Sequence, residues 1–323
     1  MATLLDTFED DFDYALPGER PARARWKLRK PKADKFKIRS TLEERATAGA
    51  TPTQLALSPN LDASNEEKAY LLEQLAPFCG GKFITAVVRR VKGGKEANVY
   101  CCAAHPATGQ TFLAAKVYRA RQFRNLKNDA VYRQGRAVLN GDGEAISQRD
   151  WRAFKAIASK SRYGLRVTQT SWVEYEYQAL QKLYAAGADV PRVFHNGAHV
   201  LLMEYLGELT RAAPTLHRVD LPPKTAPALF ERLIHNATII LQQGYVHGDL
   251  SAYNVLYWEG AVKVIDFPQV VEARHNPDAR RMFERDLTRL CDYFARYGVR
   301  ANPARLARDL WQQHGPPPPT DEA

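Results

Sequence analysis

The chain has 323 residues, 45% hydrophobic and 25% charged, which is the composition of a soluble globular protein with room for two domains or lobes. No apolar run approaches the ~18–20 residues of a membrane span, and the acidic opening MATLLDTFEDDFDYALPGER lacks a signal peptide's basic start and apolar block. A cytoplasmic protein without a membrane partner is expected. The net charge of +10 is uneven: residues 20–39 carry +9 and residues 119–166 carry +8, so the remainder is mildly acidic. Four cysteines (Cys79, Cys101, Cys102, Cys291) form no CxxC pair and read as reduced core thiols.

In chain order, residues 1–63 are charged, Pro-dotted and poorly periodic, a largely disordered tail. Its basic stretch interleaves Trp26 and Phe36 with cations, a pattern that suits RNA stacking as well as phosphate contact, although a charge run is ordinarily a solvated surface. SNEEKAYLLEQL (64–75) predicts a capped helix. Strands follow at KFITAVVRRV, NVYCCAA and TFLAAKVY, then a basic insert (119–170) with a helix that places Trp151, Phe154 and Ile157 on one face. In SWVEYEYQALQKLYAAG, Ser171 and Glu174 read as a capping box that starts a helix ending at Gly187. HVLLMEYL (199–206) reads as a buried strand. Residues 206–314 are mostly helical around one hairpin, and 315–323 form a loose tail.

Chemistry-bearing residues fall at particular points of this plan. Gly93 and Gly94 lie in a turn between two strands, where backbone N–H groups can approach an anion, although an ordinary tight hairpin has the same look. It is no Walker A loop, because Glu96 follows Gly94-Lys95 and Arg89 occupies the first glycine position. Lys116 is a single lysine in an apolar strand and needs an anion if buried. Glu174 has a cap to make, so Glu176 is the better partner, and a Lys–Glu pair that grips phosphates belongs to phosphoryl transfer. In YVHGDLSAYNVLYWEGAVKVIDF, two β-branched and aromatic runs flank Glu259-Gly260, a hairpin signal. Pairing Trp258 with Ala261 puts Asn254 beside Ile265 and brings Asp266 to the open end, near Asp249. Such oxygens suit Mg²⁺, although Asp and Asn also simply flank turns.

These features come in the order found in protein kinases. GGKEANVY, KVYR followed by a basic insert, HGDLSAYNVL and VIDFPQ resemble the RIO family of atypical kinases, over roughly residues 80–300. The resemblance implies an α+β, two-lobed, protein-kinase-like fold. A small β-rich N-lobe would span residues 64–205 and a mostly helical, truncated C-lobe residues 206–314. It implies transfer of phosphate from ATP to Ser/Thr hydroxyls, autophosphorylation included, or ATP hydrolysis, with Mg²⁺ or Mn²⁺. Asp249 would accept the hydroxyl proton, and Asn254 and Asp266 would hold the metal, Asp266 also being able to form an aspartyl-phosphate. Gly93, Gly94, Lys95, Val99, Lys116 and Glu176 would bind the nucleotide, with Met203 behind the adenine and the backbone of Glu204 and Leu206 bonding it. Gly248 in place of the catalytic-loop Arg, DFP in place of DFG and the missing APE imply no activation-loop control and no peptide platform. Two alternatives remain: a small-molecule phosphotransferase, which shares HGDL-x₃-N, and an ATP-switched RNA or ribosome-assembly factor that engages RNA or a ribosomal particle through 20–39 and 119–166.

Overall fold

Residues 55–94, 96–119, 136–147 and 149–317 are described in the computed structural model. A six-stranded sheet organises the first half. It comprises β1 (Ala56–Leu57), β2 (Ile84–Lys92), β3 (Ala97–Ala104), β4 (Phe112–Tyr118), β5 (Val193–Asn196) and β6 (Val200–Glu204), in the order β1-β2-β3-β4-β6-β5. β1 joins in parallel and the other pairings are antiparallel.

Side-chain alternation gives this sheet two faces with different tasks. Leu113, Ala115 and Val117 of β4 pack with Tyr100, Cys102, Val200 and Leu202 beneath α1 (Asn65–Gly80), whose Leu71, Leu75 and Phe78 recur at i, i+4 and i+7. Ser64 caps α1 by accepting the Glu67 N–H at 3.2 Å. Lys116 and Tyr118 point to the opposite face, where Tyr118 and Leu201 join Val173, Leu180 and Leu183 of α3 (Arg162–Ala185).

Two sequence expectations are corrected here. The ordered fold begins before residue 64, since β1 pairs with Ala86 and Val87 and Leu61 is buried. A two-residue strand is too short to show alternation. Residues 1–54, with the basic stretch 20–39, lie outside the described residues. Second, the helix expected from Ser171 starts nine residues earlier, capped by Ser161 on the Gly164 N–H, and Ser171 is interior. Its hydroxyl accepts the Leu139 N–H at 2.9 Å, and Glu174 accepts from Gln178 and Asn196 instead of capping. The helix expected in the insert is present as α2 (Trp151–Ala158), which buries Ala153 and leaves Trp151 62% exposed. α3 does end as the glycine signal predicts: Gly187 has φ +84°, with Ala188 N–H on the Leu183 carbonyl and Gly187 N–H on that of Tyr184.

Beyond β6 the chain runs through the two-residue strands β7 (Gly207–Glu208) and β8 (Arg211–Ala212) into a helical half. This contains α4 (Ala226–Gln242), α5 (Ala279–Ala295) and α6 (Pro303–His314). β9 (Tyr245–Val246) pairs with β12 (Val271–Glu272), and between them β10 (Val255–Trp258) and β11 (Ala261–Val264) form the hairpin in the register read from sequence. Glu259 and Gly260 both adopt positive φ (+50° and +84°), the requirement of a type I′ turn, and Ile265 N–H donates to the Asn254 carbonyl at 2.9 Å. The two-lobed α+β fold is thus present. Among the described residues no helix is long and apolar enough to cross a membrane.

Candidate active site

Two cation–carboxylate clusters meet at the mouth of the β10–β11 hairpin. In the first, Lys116 reaches down from β4 and its Nζ lies 2.8 Å from Glu176 Oε1 and 2.7 Å from Asp266 Oδ1. Glu176, 1% exposed, also accepts the Tyr118 hydroxyl on Oε2 and the Phe267 N–H on Oε1 at 3.1 Å. A buried carboxylate needs such partners. Burial opposes the Lys116 charge, but Asp266 and Glu176 outweigh it and push the ammonium well above its ordinary range. Burial likewise favours the neutral form of Asp266, yet Lys116, helped by Lys92, holds that carboxyl below the usual carboxylate range. Lys116 and Asp266 are therefore both charged at neutral pH. Asp266 itself has φ +72°, a left-handed conformation that Asp tolerates better than most residues.

The second cluster is built on the loop 247–254. Asn254 Nδ2 donates to the backbone carbonyl and to Oδ2 of Asp249, both at 2.9 Å, while Arg289 Nη1 donates to Asp249 Oδ1 at 2.6 Å. Spending Nδ2 on Asp249 fixes the Asn254 amide and makes Oδ1 the atom it can offer to a cation. The Asp249 N–H donates to His247 Nδ1 at 3.2 Å, which leaves the proton on Nε2 to donate to the Ile265 carbonyl at 3.1 Å. Burial lowers the His247 pKa and keeps the ring neutral in this role. Gly248 (φ +80°) donates its N–H to Asp286 Oδ2 at 2.8 Å, and its carbonyl accepts from Arg285 Nη2.

Two of the nucleotide-binding candidates, Val99 and Met203, share the Lys116 face of the sheet. Val99 stands opposite Lys116 on β3, and Met203 stands opposite Ala114. A Cβ on Gly94 would come within 2.7 Å of the Ala97 carbonyl oxygen, so this turn position requires glycine. Lys95 lies outside the described residues. The N–H of Glu204 donates to the Arg192 carbonyl at 2.7 Å and its carboxylate pairs with Lys263 at 2.6 Å, while the Leu206 carbonyl accepts the Ala213 N–H.

Residues 98–306, about two-thirds of the chain, match the RIO domain family model. The chain belongs to the RIO family. It is 32% identical over 227 residues to serine/threonine-protein kinase RIO1 of Chaetomium thermophilum, covering 67% of this chain and 40% of that protein. Identity to the RIO-type serine/threonine-protein kinase Rio1 of Haloferax volcanii is 28% over 304 residues, 92% of this chain and 86% of the relative. Against human serine/threonine-protein kinase RIO1 it is 29% over 217 residues, 67% of this chain and 34% of that protein. The chain therefore spans well under half of the fungal and human relatives and most of the Haloferax one.

Within this RIO domain the departures from ordinary protein kinases have a structural counterpart. α5 starts at Ala279, thirteen residues after Asp266, which leaves only β12 and three short turns between them. The donor set also fits a particular kind of cation. Among the described residues no group of three or more His, Cys, Asp or Glu side chains forms a metal cage. An amide oxygen from Asn254 and a carboxylate from Asp266 suit a hard cation that takes its remaining ligands from water and phosphate.

Sequence reading missed Tyr118, His247, Asp286 and Arg289. Asp286 carried a usable signal: it sits on the apolar stripe of α5 between Met282 and Leu290, four residues from each, where a carboxylate must serve some buried donor.

Proposed function

We propose that this RIO-family chain transfers the γ-phosphoryl group of ATP to Ser/Thr hydroxyls, its own included, or to water, with Mg²⁺. The carrying observation is Lys116 Nζ bridging Glu176 and Asp266 at 2.8 and 2.7 Å, beside an Asp249 already oriented by Asn254. Bound Mg²⁺ would neutralise developing phosphate charge. Asn254 and Asp266 would hold the cation, with Lys116 fixing the phosphates on one side and Asp249 accepting the hydroxyl proton on the other. Gly93, Gly94, Lys95 and Val99 would cover the phosphates and sugar. Met203 would back the base, which the Glu204 carbonyl and the Leu206 N–H would bond. The match to the RIO model gives no support to the small-molecule alternative. Incubating the protein with γ-labelled ATP and Mg²⁺ tests this reading, with mass spectrometry that preserves acid-labile phosphate. Neither transfer nor ATP hydrolysis above an Asp266→Ala control would overturn it.

A second reading, contact with single-stranded RNA through the insert, rests on its described part. Trp151 and Tyr163 are 62% and 53% exposed, and Arg152 and Lys155 lie over the Trp151 ring at 5.8 and 5.7 Å. Aromatic faces ringed by cations suit base stacking beside phosphate. Trp151→Ala should weaken binding to labelled single-stranded RNA by roughly 1–3 kcal/mol. Unchanged titration curves would count against this surface.

A further inference from the structure

We propose that Glu67, on a helix outside the matched RIO region, sets the nucleotide-binding turn through Asn98. The inference rests on the nucleotide-binding reading above and names positioning residues for it. Asn98 is the first residue matched by the RIO model and is buried at 8% exposure under the glycine turn. Its Oδ1 accepts the Gly94 N–H at 3.4 Å and Arg119 Nη2 at 3.2 Å. Its Nδ2 donates to Glu67 Oε1 at 2.8 Å and to the Tyr100 hydroxyl oxygen at 3.2 Å.

An amide side chain can face either way, and only its partners decide which. An ionised carboxylate can only accept, so Glu67 selects Nδ2 for its own side and thereby turns Oδ1 toward Gly94. Glu67 is itself fixed by Tyr100, whose hydroxyl donates to the same oxygen, and by Arg90 at 3.5 Å. Ser64, by capping the helix at the Glu67 N–H, holds the backbone that delivers this carboxylate. Helix cap, carboxylate, amide and turn N–H thus form one continuous chain of contacts. A Cβ on Gly93 would meet only Asn98 Oδ1, at 3.7 Å, and neither Gly93 nor Gly94 has a side chain of its own.

The consequence is an effect on ATP affinity that leaves the reacting groups untouched. Asn98→Asp sets two carboxylates against each other and should raise KM for ATP about tenfold while kcat stays within about threefold, the signature of lost uniform binding. Asn98→Ala should raise KM by a smaller factor. Adding Glu67→Gln to Asn98→Asp should restore most of the loss. The introduced amide can then donate to the introduced carboxylate, whose other oxygen still accepts the Gly94 N–H. A merely structural role for Asn98 would not give this pairwise rescue.

The experiment measures steady-state KM and kcat for ATP, equilibrium ATP binding and thermal midpoints for the wild type, the two single Asn98 variants and the double variant. Wild-type KM in Asn98→Ala and Asn98→Asp, or a double variant no better than Asn98→Asp, overturns the proposal. Should Asn98→Asp fail to fold, the KM of Asn98→Ala decides. If the wild type itself shows no saturable ATP binding, the reading beneath fails, and this inference with it.

Discussion

The two clusters at the hairpin mouth hold their carboxylates in opposite ways. Glu176 and Lys116 are almost fully buried, at 1% and 9% side-chain exposure, and satisfy each other in surroundings that screen little. Asp249 and Arg289 form a contact just as short, 2.6 Å, but their side chains are 36% and 25% exposed. A short contact therefore says little about energy until solvent access is known. In the buried cluster, removing one member strands a charge. In the open cluster, water takes over much of what is lost. The difference suits the proposed roles: phosphates need a fixed cation, whereas an acceptor hydroxyl needs a carboxylate it can reach.

The largest effects should come from the buried cluster. Lys116→Met leaves Glu176 buried without its cation and should cost about 3–5 kcal/mol of stability, the range for breaking a buried pair, together with nearly all turnover. Glu176→Gln should be milder in stability, since Lys116 keeps Asp266 at 2.7 Å. The double variant should lose far less than the product of the two single losses in turnover, because the residues act as one unit. Chemical denaturation and single-turnover kinetics on the four proteins would show this. Strictly additive losses would mean that the bridge is not a functional unit.

For the open cluster the expected changes are catalytic more than structural. Asp249→Asn should retain ATP binding and lose roughly 10²–10⁴ in turnover, the range for a general base. Arg289→Gln removes the charge that faces Asp249. An exposed pair is worth roughly 0.2–1 kcal/mol, so its thermal midpoint should barely move and turnover should change by only several-fold. A stability loss in Arg289→Gln as large as that in Lys116→Met would erase the contrast between the clusters.

How much of this was legible in the sequence follows the same division. Local rules were enough for the hairpin register and the glycine stop of α3, because each depends on neighbours within a few residues, whereas Glu176 was preferred to Glu174 on account of a cap that Glu174 does not make. The Ser171–Glu174 capping box misled for a physical reason. A Ser and a Glu three apart cap a helix only where the helix begins, and here Arg162–Thr170 continue it upstream. Ser171 and Glu174 face inward instead, toward Leu139, Gln178 and Asn196. Arg289 was invisible because its partner lies forty residues away. Asp286 was visible as an acid on an apolar stripe, but nothing local shows that its target is the Gly248 N–H.

Asp286 should give the smallest change in turnover and a distinctive dependence on pH. Burial pushes its carboxyl up to about 7, opposed by Arg285 and Arg289 and assisted by Asp249. Oδ2 accepts the Gly248 N–H, while Oδ1 is buried with no partner among the described residues. In the unfolded chain the same group titrates near 3.9. Between about pH 4 and pH 7 the folded state therefore binds a proton that the unfolded state has lost. Stability from this group falls as pH rises across that window and is constant above it. Asp286→Asn keeps an oxygen for the Gly248 N–H and removes the titration, so it should hold the 247–249 loop in place and leave turnover nearly unchanged. Near pH 4 wild type and variant should differ least. By pH 8 the variant should be the more stable of the two. His247, whose pKa is lowered by burial, contributes the opposite slope, losing stability as pH falls through its unfolded value. Since both proteins retain it, it cancels in the difference. Urea melts of the pair from pH 4 to pH 8 would show this divergence, and parallel curves would mean that Asp286 is ionised in the fold and that its Gly248 contact stabilises the loop as a charged acceptor.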